Sequence, residues 1–127
     1  MSFQTPLARA RGLGSAKCGL RHWLLQRLTA IALVPLSLWF VSFIMEIAGA
    51  DYDTTVNSLK SPVTATLLIA FVVSLFYHAL LGLQVVIEDY VHIEPLKVSA
   101  IIAVQFAMGL LGLMAVVAVL IVARGAA

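Results

Sequence analysis

Three long uncharged runs, Leu28–Met45, Ser61–Ile87 and Val98–Ala123, limit what this chain can fold into. Each is long enough to cross about 30 Å of hydrocarbon as a helix rising 1.5 Å per residue. The first is the shortest and borrows residues from its flanks. The chain is 127 residues long, 62% hydrophobic and 11% charged, too little charge for a soluble domain of this size. No period-two alternation points to a β-barrel. The expected fold is an all-α membrane protein of one domain. A basic N-terminal arm over residues 1–20 should precede helices at about 21–47, 62–88 and 97–123.

Charge placement orients these helices. Arg9, Arg11, Lys17, Arg21 and Arg27 precede or open the first helix, with no acid among them. Excess Lys and Arg stay on the inner side, so the N-terminus is expected in the cytoplasm, or in the matrix of a mitochondrion. The loop 49–60 then faces outward, and the loop 88–97 returns to the N-terminal side. Arg124 at the outer end is a mild counterweight. The first twenty residues, basic and free of acids, also resemble a transit peptide. The single cysteine, Cys18, excludes an internal disulfide and a cysteine metal cluster, and reads as a bystander thiol.

Pattern places the remaining elements. Trp23 suits the headgroup level. Pro35 should kink the first helix. The connector 49–62 carries turn formers, and Pro62 opens the second helix at a favoured first-turn position. On the third helix, Ser99, Ala103, Ala107, Gly109 and Gly112 read as packing residues. Gln105 is expected to make an interhelical hydrogen bond.

The chemistry-bearing residues lie on the second helix and at the start of the first. His78 sits inside an apolar run, where an imidazole needs a partner. Ser74, His78 and Gly82 form one stripe at spacing four. The glycine leaves space for something flat against the helix, or for close approach of another helix. His78 either bonds a neighbouring helix or ligates haem iron through one ring nitrogen while an acceptor holds the other N–H. A single histidine fills one axial position, so a second ligand must come from another chain. Asp89 lies eleven residues beyond His78, roughly three turns on the same face and about 16 Å along the axis. Asp89 and Tyr90 are either a helix end at the interface or a quinone head-group site. In the second reading, a phenol hydrogen-bonds a carbonyl and an acid relays protons. Glu88 falls on a different, solvated face, and His92 and Glu94 read as surface residues. His22 and Arg27 are suited either to lipid headgroups or to haem propionates.

Two segments together resemble a known family. His22-Trp-Leu-Leu-Gln-Arg27-Leu-Thr29-Ala30 and His78-Ala-Leu-Leu-Gly82-Leu-Gln84-Val-Val-Ile-Glu-Asp89-Tyr90-Val91 are similar to the small hydrophobic membrane anchors of succinate dehydrogenase. The specificity rests on His-x3-Gly-x6-Asp-Tyr. The resemblance implies that His78 supplies one axial ligand to a haem b shared with a companion cytochrome b anchor. It implies that Tyr90 hydrogen-bonds ubiquinone with Asp89 beside it, and that Arg27 and His22 lie near the haem propionates. It further implies that a flavoprotein and an iron–sulfur protein dock on the N-terminal face, in a bacterial inner membrane or a mitochondrial one. The chain would then be a non-catalytic anchor, with no succinate site of its own. The expected surroundings are lipid bilayer and protein, not nucleic acid. Two other readings stay open: a cofactor-free structural component of a larger assembly, and the anchor of a related quinol:fumarate reductase.

Overall fold

The structure is a computed structural model that describes Leu7 and residues 17–125. Among these residues it is entirely helical: α1 (Lys17–Ile47), α2 (Tyr52–Lys60), α3 (Pro62–Tyr90) and α4 (Glu94–Ala123). Three of them, α1, α3 and α4, are long and apolar enough to cross a membrane. Most of the arm expected over residues 1–20, and the side chain of Cys18, lie outside the described residues.

Helix α3 is central. It packs against α1 on one side and α4 on the other. Of the four buried hydrophobic side chains, Ala65, Leu68 and Leu81 belong to α3 and Phe43 to α1. Phe40 of α1 stacks on Phe71 of α3 with ring centroids 4.6 Å apart, and Trp39 stacks on Phe43 at 5.5 Å. On the other side, a Cβ at Gly112 would meet Phe76 at 3.4 Å, so α4 seats its glycine on that ring. Elsewhere the apolar residues face outward, and no residue of α4 is fully buried. In water this would be an aggregation surface; in a bilayer it is an ordinary lipid-facing or protein-facing one.

The helix boundaries differ from the sequence expectation in three places. Helix α1 already runs from Lys17, inside the segment read as an irregular arm, and continues unbroken through Pro35. Helix α4 begins at Glu94 and not near residue 97. Ile93 is extended, Pro95 lies in the first turn, and Glu94 complements the positive end of the helix dipole. The connector read as turns contains α2. Asp53 lies in its first turn and Lys60 in its last, again matching the dipole. Its half-buried Val56 and Leu59 sit three apart, on the side that meets α3 and α4. The Thr54 hydroxyl holds the exposed carboxyl of Asp51 below its usual range.

The C-terminal end of α4 is closed by a glycine. Gly125 adopts a φ of 71°, a left-handed conformation that favours glycine. Its N–H donates to the Val122 carbonyl at 2.9 Å. The Lys60 side chain lies against this end of α4, where a Cβ on Gly125 would approach its Cε to 3.2 Å. A cation there faces the negative pole of the helix dipole.

Candidate functional site

The polar chemistry inside the bundle collects where the first half of α1 crosses the second half of α3. His78 lies twelve residues before the end of α3, about 18 Å from that end along the axis. Its ring is half-buried and turned toward α1. Nδ1 stands 3.0 Å from the Thr29 hydroxyl, and Nε2 stands 3.4 Å from the Gln26 amide nitrogen. Gln26 and Thr29 are three residues apart and share a helix face. These are the side-chain hydrogen bonds between helices among the described residues.

A cavity of about 620 Å³ opens beside this cluster, lined by Gly19, His22, Trp23, Gln26, Gly82, Val85 and Glu88. Its volume is within the range of small-molecule and cofactor sites. Two polar atoms buried along it, His22 Nε2 and Gln26 Oε1, have no hydrogen-bond partner among the described residues. Buried polar groups are normally satisfied, so a pair of orphans on one cavity wall points to an external ligand.

Several sequence expectations meet here and others do not. His22 lines the cavity, whereas Arg27 does not. The Arg27 guanidinium sits over the Trp23 ring, 5.6 Å from its centroid, in a cation–π contact. Glu88, expected on a separate face, lines the cavity and accepts a hydrogen bond from Gln84 at 2.9 Å, although it remains exposed. The reason is the packing of α1 against α3, which sets Gly19, His22 and Trp23 alongside the last turns of α3. Asp89 and Tyr90 are not among the cavity's lining residues; Tyr90 is 78% exposed at the end of α3. Gly82 serves both readings given for it. It lines the cavity, and its close neighbour is Gln26 of α1, 3.6 Å from where a Cβ would stand. Gln105 forms no interhelical bond in this chain. It lies on the exposed side of α4, where a partner has to come from outside. His92 and Glu94 are exposed, Glu94 pairing with Lys97 at 2.6 Å. Gln26, Thr29 and Glu88 are the contributors that sequence reasoning missed. The signal for the first two was their shared face within the quoted α1 segment.

Comparison with known proteins decides the family. The model of the succinate dehydrogenase/fumarate reductase transmembrane subunit matches residues 1–123. The chain belongs to this family. A succinate dehydrogenase hydrophobic membrane anchor subunit from Rickettsia bellii is 44% identical over 103 residues, covering 81% of this chain and 82% of its own. That of Rickettsia conorii is 40% identical over 104 residues with the same coverage. That of Paracoccus denitrificans is 28% identical over 106 residues, covering 84% of this chain and 82% of its own. No solved structure gives a significant match. The likeness to succinate dehydrogenase membrane anchors thus extends over most of the chain.

For a family member, the donor set can be tested against a haem. His22 Nε2, Gln26 Oε1 and the wall at Gly82 face the space such a group would need, while His78 is not among the lining residues and would reach that space past the Gln26 side chain. Among the described residues no group of three His, Cys, Asp or Glu side chains could hold a metal ion.

Proposed function

We propose that this chain is the small membrane anchor of a succinate:ubiquinone oxidoreductase, respiratory complex II, in a bacterial inner membrane. In this reading it shares a b-type haem with a companion cytochrome b anchor and forms part of the ubiquinone-reducing site. The observation that carries it is His78, set deep in a spanning helix beside a cavity with two unpartnered polar atoms. His78 would hold the haem iron through one ring nitrogen, and the companion anchor would supply a second ligand. His22 is placed to hydrogen-bond a propionate. Arg27, stacked over Trp23, would have to leave that contact to take the same role. A bound haem would supply one-electron exchange within the anchor.

The chain's other task lies at the end of α3. Tyr90 donates a hydrogen bond to a ubiquinone carbonyl, and Asp89 orients the phenol or passes protons to it. Because Tyr90 is so exposed, the remaining walls of that pocket come from neighbouring proteins of the complex. The basic start of α1 keeps this end on the cytoplasmic side, where the iron–sulfur and flavoprotein partners dock. Succinate is oxidised there, and the anchor receives electrons only.

The test is the purified complex carrying His78→Ala. Loss of the reduced b-type spectrum is expected; an unaltered spectrum would remove His78 from the haem. A cofactor-free structural anchor is the second reading, favoured by the contacts that both His78 nitrogens already make with α1. It requires that the wild-type complex show no Soret band from its anchor. An anchor of quinol:fumarate reductase would use the same residues in the opposite direction.

A further inference from the structure

The hydroxyl of Thr29 has one hydrogen and three oxygen or nitrogen neighbours. It stands 2.9 Å from the Leu25 carbonyl, 3.1 Å from the Gln26 carbonyl and 3.0 Å from His78 Nδ1. Carbonyls only accept, so the single O–H is directed back along α1, the usual habit of threonine inside a helix. What Thr29 presents to His78 is then a lone pair, and the proton in that contact must reside on Nδ1.

We infer that Thr29 is a positioning residue that holds His78 in its Nδ1–H tautomer, leaving Nε2, which only the Gln26 amide contacts at 3.4 Å, as the nitrogen with a lone pair for a metal. The inference rests on the ligand role proposed for His78 and adds to it the residue that selects the ligating nitrogen. An imidazole whose far N–H is hydrogen-bonded is a stronger electron donor. Thr29 therefore stabilises oxidised iron relative to reduced iron. Gln26 covers the ligating nitrogen through one long contact, and its own Oε1 is unpartnered, so little holds it there when a ligand arrives.

The experiment is a spectroelectrochemical titration of the purified complex with Thr29→Val and Thr29→Ser. Valine keeps the shape and removes the hydroxyl; serine keeps the hydroxyl. With valine, the equilibrium should shift toward reduced haem by about tenfold, or about 59 mV for one electron, and serine should restore the wild-type value. Wild-type potentials in both variants would overturn the assignment. If His78→Ala abolishes the haem spectrum while Thr29→Val leaves the potential unmoved, only the role of Thr29 falls. If His78→Ala leaves the spectrum intact, the ligand reading falls with it. Should Thr29→Val fail to assemble, the wild-type complex decides. In the diamagnetic reduced state, with 15N-histidine and 13C-threonine, solid-state NMR should show transfer between Thr29 Cβ and His78 Nδ1. Its absence would refute the contact.

Discussion

Two polar groups of α3 are held very differently. His78 is half-buried and in contact with two side chains of α1, whereas Tyr90 is exposed beyond the last turn that α1 covers. Substitutions at the two positions should therefore separate cleanly. Tyr90→Phe removes a hydroxyl that makes no hydrogen bond among the described residues, on a side chain that is 78% exposed, so the fold has no reason to change. In the assembled complex, ubiquinone reduction should fall by about 10²-fold, the lower range for a lost proton donor. Succinate oxidation with an artificial acceptor should persist. Equal loss of both activities would mean that Tyr90 serves assembly and not quinone chemistry. Because His78 lies far from the interface, its replacement should be read in the haem spectrum before activity.

At the level of helices, α3 is the spine to which α1 and α4 are attached by unlike means. Aromatic stacking and one polar cluster join α1 to it, while a glycine pressed on Phe76 joins α4. The glycine contact gives a graded expectation. Gly112→Ala sets a Cβ at 3.4 Å from Phe76, ordinary contact distance, and should be tolerated. Gly112→Leu drives α4 off that ring, at a cost of about 1–3 kcal/mol, the usual penalty for overpacking. The thermal midpoint of the complex in detergent, measured for both variants, checks the contrast. An equal drop for alanine and leucine would show that something other than side-chain volume matters at this position. Helix α2 adds little packing, but it lies at the C-terminal end of α4 and places Lys60 against it.

The whole molecule is asymmetric along the membrane normal. One end gathers the start of α1, the last turns of α3 and the 620 Å³ cavity; the other gathers α2, Lys60 and Gly125. The proposed orientation puts the cavity end in the cytoplasm. In a Cys18→Ser background, Asp53→Cys should react with a membrane-impermeant maleimide in intact spheroplasts. Reaction only after permeabilisation would invert the topology. With most apolar side chains facing outward, the chain has a core too thin to close on itself. It is built to be completed by lipid and by other proteins, and the exposed Gln105 on α4 and Tyr90 on α3 are polar groups that such neighbours would satisfy.

Hydrophobic run length and the charge beside each run are properties of the chain itself, so three spanning helices were legible before any fold was known. The His78, Asp89 and Tyr90 pattern was legible for the same reason, since spacing along one helix is local geometry. What only tertiary structure decided is which residues of α1 meet that helix. The crossing of α1 over α3 brings Gln26 and Thr29 to the two nitrogens of His78 and sets Glu88 on the wall of the cavity. Helix α2 was hidden because a nine-residue helix owes its stability to docking against its neighbours more than to its own propensity. Contacts between helices depend on rotation and offset, which an apolar stripe spread around most of each helix does not specify.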